Sequence, residues 1–310
     1  MRIRFQLALL ALCRAAVIAA ASPAFPLTVT DDAGAVITIP APPARIVSLT
    51  LPTDEMLVDL VDLSRLQAVS YLAVDPAISN VAARVTGVPH KMDLNVEEVL
   101  SLAPDLVLVA DWNDAGPVAQ LRAAGVPVYL FRTPVTVASI ERQITRLALL
   151  TGDPARGVAV VQRMEARLDA VARAVAGIPT ERRLSVIDYG TWGTAQGRGS
   201  SWDEMLGRAG LVDAAGALDA DKLGQVPLSR EKLLELDPQV LILPGWVYHD
   251  PRGAEAFYQR TIHDPTLRGL RAVKTGRVYM MPERLKSATS QYFADAVEWL
   301  ARTAYPDRLK

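Results

Sequence analysis

Residues 97–112 read EEVLSLAPDLVLVADW, and residues 231–246 read EKLLELDPQVLILPGW. Each stretch opens on Glu, carries Leu at its fourth and sixth places and Pro at its eighth, and closes on Trp. The first seven residues of each have the spacing of a short amphipathic helix, and the proline that follows cannot continue one. The next run, DLVLVA or QVLILP, is apolar without alternation. A strand covered on both faces by helices has that pattern, as in a parallel sheet.

Two more echoes keep the same order along the chain. Asp54-Glu55-Met56-Leu57 recurs as Asp203-Glu204-Met205-Leu206, 149 residues later. The Val-Tyr pair of VPVYLF (126–131) recurs in GRVYMM (276–281), 150 residues later. Together the three echoes predict an α/β protein of two similar Rossmann-like lobes with parallel sheets.

Between the lobes lies DPARGVAVVQRMEARLDAVARAVAGIP, with Val158, Val161, Met164, Leu168, Val171 and Val175 at spacings of 3 and 4. This is one apolar stripe on one helix, opened by Asp153-Pro154 and closed by Gly177 and Pro179. Some 22 residues at 1.5 Å each make a strut of roughly 33 Å. The expected organisation is a cleaved signal peptide at 1–24, an N-terminal lobe at 25–137, a connecting region with the long helix at 138–180, and a C-terminal lobe at 181–310. The stretch LTVTDDAGAVITIP near the start alternates about Asp-Ala-Gly as a hairpin does.

The signal peptide is read from Arg2 and Arg4, the apolar run after them, and small residues suited to cleavage between Ala20 and Phe25. The one cysteine, Cys13, falls inside that segment behind Leu12, so a lipid anchor there is not expected and the exported chain holds no thiol. A hydrophobic content of 50% supports real cores, and a net charge of -1 excludes a basic field for nucleic acid.

Ligands of open parallel sheets sit outside the carboxyl ends of the strands. Trp112 and Trp246 follow expected strand ends, Trp192 follows the strand LSVID, and Tyr71 follows LQAVS. In a chain with 6% aromatic residues, rings gathered at that one topological place suit a large flat ligand held between lobes. The competing reading is that some of them cap the sheet cores. Arg198 is a candidate to face an anionic group, the alternative being a solvated surface arginine. Glu55 and Glu204 stand near helix starts, Glu204 in a Ser201-x-x-Glu204 capping-box spacing. They complement helix dipoles or form matched carboxylates for a two-fold partner, and spacing alone leaves both readings open.

Neither a phosphate-binding glycine loop, nor G-x-S-x-G, nor H-E-x-x-H occurs. The histidines His90, His249 and His263 are scattered, which argues against a His-built metal site, although His249 lies close behind a strand-end Trp. No catalytic or metal-ligating residue is assigned.

Across 27–310 the chain resembles the periplasmic substrate-binding proteins of ABC importers for vitamin B12, haem and ferric siderophores. TVTDDAGAVITIPAPPARIVSL, EEVLSLAPDLVLV, AGVPVYLF, GSSWDEMLGRAGLVDAAG and FADAVEWLARTAYPDRL carry the resemblance. It implies a ligand cleft between lobes joined by a rigid helix, small opening motions, a monomer, and a permease dimer as partner. It also implies that Glu55 and Glu204 dock on permease arginines. The cargo implied is a metal chelate, a corrinoid or a ferric siderophore, with no resident cofactor; a siderophore implies a cationic cleft, for which Arg198, Arg284 and Lys286 are the candidates. Haem is the alternative, with Tyr71 near the place of an axial tyrosine. Readings from other classes are a sensor or scaffold subunit and an α/β enzyme, the latter disfavoured by the lack of cysteine ligands.

Overall fold

The computed structural model describes residues 23–221 and 224–309. Most of the expected signal segment, with Cys13, lies outside the described residues. A hairpin of β1 (Leu27–Thr30) and β2 (Val36–Ile39) opens the fold. Asp31 closes its turn by accepting from the Ala33 and Ala35 N–H groups. The first lobe then runs β3 (Ile46–Ser48), α1 (Leu51–Leu60), β4 (Leu66–Ser70), β5 (His90–Met92), α2 (Val96–Ser101), β6 (Leu106–Ala110), α3 (Ala115–Ala123) and β7 (Val128–Phe131). Two helices follow, α4 (Val137–Thr151) and α5 (Pro154–Val175). The second lobe holds β8 (Ser185–Asp188), β9 (Thr194–Gln196), α6 (Ser201–Arg208), β10 (Val212–Asp213), β11 (Gln225–Pro227), α7 (Arg230–Leu236) and β12 (Val240–Pro244). It ends with α8 (Gly253–His263), α9 (Arg271–Lys274), β13 (Val278–Met281), α10 (Glu283–Lys286) and α11 (Phe293–Ala304).

Both main sheets are parallel. Their orders are β5-β4-β3-β6-β7 and β10-β8-β12-β13, so the second repeats the first without its outer strand. The repeated stretches occupy matching places. α2 leads through Pro104 into β6, and α7 leads through Pro238 into β12. All five residues of each strand are buried, as an uninterrupted apolar run between helices requires. The Val-Tyr echo also lands in register: Tyr129 of β7 pairs with Leu108, and Tyr279 of β13 with Ile242.

α5 has 22 residues, with Asp153 at its N-cap and Pro154 at N1, as the sequence predicts. It packs on α1 and α4 of the first lobe and on α6 and α11 of the second. Its buried stripe differs from expectation at the amino end, where Gly157 and Val160 turn inward, Val161 is only partly buried against the core and Val158 is exposed. α4 explains this. A Cβ on Gly157 would fall 2.5 Å from that of Ala148, so only glycine lets the two helices cross so closely. Arg167 on α5 pairs with Asp295 at 2.6 Å and Glu298 at 2.8 Å, holding α11 to the strut. The largest core cluster draws on both lobes, from Ile46 and Leu106 to Val186 and Ile242.

Candidate functional site

All parallel strands of a sheet end on one edge, so four aromatics that follow strand ends belong to the carboxyl edges of the two sheets. Tyr71 opens a 3-10 turn directly after β4 and is 49% exposed. Trp112 lies two residues past β6 and is 56% exposed. Its neighbours are fixed on both sides: Asp111 accepts from the Thr133 N–H and hydroxyl, and Asn113 accepts from the Ala110 N–H. Trp192 stands at the tip of a tight turn after β8 and is 88% exposed. That turn is tied by Gly190 N–H to the Thr194 carbonyl and by Leu228 N–H to the Gly193 carbonyl, beside the β9–β11 ribbon. Trp246, two residues past β12, is half-buried. The backbone before it is pressed on its neighbour strand, because any side chain at Gly245 would meet the Met281 carbonyl.

Exposed indoles cannot be capping the cores of their sheets. The chain's tryptophan divides by role: Trp112 and Trp192 reach solvent, while Trp202 is buried and Trp299 packs against the core. The structure adds Tyr248, 62% exposed, which meets Trp246 edge-on with ring centroids 5.7 Å apart and leans on the His249 ring at 3.9 Å. Its signal was present in the sequence, one residue before His249. Tyr189, beside the Trp192 turn, goes the other way and packs on Phe257 in the second lobe's own core.

Under the rings the two edges carry different polar floors. The first lobe buries Ser48 and Ser70 at the ends of β3 and β4, with Thr50, Thr53 and Asp54 at the start of α1. Asp54 Oδ2 accepts from the Ser70 N–H at 3.1 Å and its hydroxyl at 2.5 Å. Burial pushes the Asp54 carboxyl well above the usual carboxylate range, against the pull of those hydrogen bonds. In the second lobe Lys286 Nζ stands 2.9 Å from Asp188 Oδ1, with both side chains largely enclosed. Burial opposes the Lys286 ammonium, but Asp188 and Glu283 outweigh it and raise the pKa. Nearby, Asp213 is pushed up to about 7 by burial. Arg198 is spent on structure, donating through Nε to the Gly216 carbonyl. Arg284 ties its backbone across to the first lobe through the Ala77 carbonyl and Asn80.

The expectation that Glu55 presents an exposed carboxylate does not hold. It is 2% exposed. Its Oε1 accepts from Asn80 N–H at 2.9 Å and Asn80 Nδ2 at 2.8 Å, and its Oε2 accepts from the Ser290 hydroxyl at 2.5 Å. The segment between α10 and α11 crosses over from the second lobe and covers it. Burial raises the Glu55 carboxyl. Glu204 is more open and is paired with Arg208 at 3.1 Å. The cap of its helix is Ser200, with Asp203 at N3, rather than Ser201 with Glu204.

Two other carboxylates occupy equivalent, exposed places. Glu97 and Glu231 are each the second helical residue of α2 and α7, behind the caps Asn95 and Ser229. Each helix runs down to the amino end of its following strand, so its start lies at the carboxyl edge of the sheet. The signal was in plain view: these glutamates are the first letters of the repeated stretches.

Among the described residues no group of three or more His, Cys, Asp and Glu is arranged to hold a metal ion, and no helix is long and apolar enough to cross a membrane. A concavity of about 1100 Å³ lies over α4, lined by Arg132 and Arg146 among others. It collects none of the strand-end aromatics.

Two parallel-sheet lobes bridged by a single helix, with aromatic rings at both carboxyl edges, define a two-lobed binding protein of the α/β class. The chain matches the periplasmic binding protein family over residues 46–285 and belongs to it. It is 28% identical over 223 residues to a cobalamin-binding protein of Halobacterium salinarum, covering 70% of this chain and 58% of that one. The chain thus spans little more than half the length of that relative. It is 26% identical over 294 residues to YvrC of Bacillus subtilis, an uncharacterized ABC transporter substrate-binding lipoprotein, covering 92% and 88%. The molybdate periplasmic binding protein MolA of Haemophilus influenzae has the same fold, with a TM-score of 0.75 at 20% identity over 91% of this chain and 92% of MolA.

Proposed function

We propose that this chain is an exported binding protein that captures a metal chelate between its lobes and delivers it, without catalysis, to an ABC importer. The observation that carries the reading is the exposure of Tyr71, Trp112 and Trp192 at the strand ends of both sheets, with Trp246 and Tyr248 beside them. Rings in that position grip a large, flat, partly apolar cargo. A corrinoid is the first choice and a ferric siderophore the next, and the cobalamin-binding relative supports that order. The metal arrives as part of the cargo, and the protein needs no cofactor of its own. Haem is a second reading, favoured by the half-exposed Tyr71. Titrating the exported protein with cyanocobalamin, haemin and ferric siderophores, following Trp fluorescence and ligand absorbance, tests the assignment. Saturable 1:1 quenching by cyanocobalamin is expected, and absence of binding by every chelate would sink the reading.

The partner is a permease dimer, met by the protein as a monomer. The docking pair we propose is Glu97 and Glu231 rather than Glu55 and Glu204, because an enclosed Glu55 has no face left for a guanidinium. Glu97→Lys with Glu231→Lys should leave cargo affinity within twofold and abolish uptake in cells. Normal uptake by that double variant would remove the docking role. Residues 1–24 direct export and are cleaved, and Cys13 leaves with them. Intact mass of the exported protein decides this, a lipid-bearing N-terminus being the contrary result.

A further inference from the structure

Asp188 ends β8, and Lys286 ends the short helix that follows β13. These two strands flank β12, so the ion pair spans the carboxyl end of the strand that leads to Trp246. Asp188 pairs in register with Ile242, and Val186, two residues before it on the same face, belongs to the core shared by both lobes. The pair therefore lies on the side of the second sheet turned toward the first lobe. It is deeply set, with side-chain exposures of 16% for Lys286 and 5% for Asp188. Lys286 Nζ stands 2.9 Å from Asp188 Oδ1, so the ammonium and the carboxylate compensate each other and the pair carries no net charge. The surroundings do not favour a second anion. Glu283 lies near Lys286, Asp213 lies near both Asp188 and Asp203, and the cation there, Arg198, is turned to the Gly216 carbonyl.

A donor and an acceptor side by side, with no net charge, complement a primary carboxamide, which is itself donor and acceptor at once. A carboxylate would gain Lys286 but meet Asp188, and leaving a charge so placed in a buried site is costly. Building on the corrinoid reading, we propose that Lys286 and Asp188 select a cargo whose periphery is amidated and reject the corresponding acid. The corrin ring with its carboxamide arms is such a cargo, whereas haem, bearing propionates, is the kind the pair disfavours.

The test compares cyanocobalamin with its b-, d- and e-monocarboxylates, made by mild acid hydrolysis, at pH 7.5. Each differs from the parent at one arm, where an amide nitrogen becomes a carboxylate oxygen. Wild-type protein should bind the parent at least ten-fold more tightly than one of the three. Asp188→Asn leaves Lys286 uncompensated, and should cut that ratio about ten-fold or reverse it. Adding Lys286→Gln to Asp188→Asn restores a neutral donor and acceptor, and should bring the preference back. A merely structural pair would weaken all four ligands alike. An unchanged ratio in Asp188→Asn, or equal wild-type affinity for all four, overturns the proposal while the corrinoid reading stands. If the wild type binds none of the four, both fall together.

Discussion

The tetrapeptide Asp-Glu-Met-Leu appears once in each lobe, on α1 and on α6, and half of it meets opposite fates. Met56 and Leu57 are fully buried, and so are Met205 and Leu206. The acidic half differs: Asp54 and Glu55 are enclosed, while Asp203 and Glu204 keep access to solvent. The preceding residue differs too. Thr53 joins a hydroxyl network with Ser48 and Thr50, at 2.7 Å to each, where the second lobe inserts the buried indole of Trp202. The cause is long-range. Only the first lobe's copy lies under the segment that leads from α10 into α11, whose Ser290 and Gln291 reach the Glu55 carboxylate and backbone carbonyl. A duplicated sequence thus conserves what faces its own sheet and diverges where the other lobe lands on it.

That contrast can be broken at several points. Trp202→Ala should be the most damaging, about 4 kcal/mol in chemical denaturation, since it empties a large core site. Trp192→Ala, ten residues earlier but exposed, should stay within about 0.5 kcal/mol. Glu55→Ala leaves two Asn80 donors and the Ser290 hydroxyl unpaired in the interior, at a cost of about 3 kcal/mol, while Glu204→Ala removes only an exposed i,i+4 pair worth about 0.3–0.5 kcal/mol. Equal losses for the two glutamates would remove the asymmetry. A further contrast concerns pH. The Asp213 carboxyl, raised from 3.8 to about 7, binds its proton more tightly folded than unfolded. Its contribution is therefore most favourable below about pH 4 and is lost as pH rises toward 7. Asp213→Asn keeps the oxygen that accepts from Ala215 N–H and removes the titration. After allowance for partial exposure, the variant should be about 1–2 kcal/mol more stable than wild type at pH 8 and indistinguishable at pH 4. A constant difference across that range would contradict the assignment.

Much of this architecture was legible in the sequence because local signals carried it. Pro104 and Pro238 divide helix from strand, the unbroken apolar runs mark strands covered on both faces, and Asp153-Pro154 starts the strut. The strand-end aromatics were legible for the same reason, since topology alone sends Tyr71, Trp112, Trp192 and Trp246 to carboxyl edges. What failed depended on partners distant in sequence. Glu55 is closed over by Ser290, 235 residues away, and no spacing near residue 55 announces it. The inward turn of Gly157 depends on Ala148 across a helix crossing, and periodicity alone favours the bulkier Val158. The Asp188–Lys286 pair joins two strand ends separated by nearly a hundred residues, and in the sequence Lys286 is only one of three candidate cations. Glu97 and Glu231 stand in the sequence as ordinary polar positions of an amphipathic helix, and nothing local sets them apart.

The account stands on a cargo held by both lobes at once. The most direct measurement is the affinity of cyanocobalamin for Trp112→Ala and Trp246→Ala, one substitution from each lobe, by titration calorimetry alongside wild type. Each ring should be worth about 1.5–3 kcal/mol, so both variants should bind at least ten-fold more weakly with unchanged folding midpoints. Wild-type affinity in either variant would mean that the cargo rests on one lobe alone, and the two-lobed grip would be wrong.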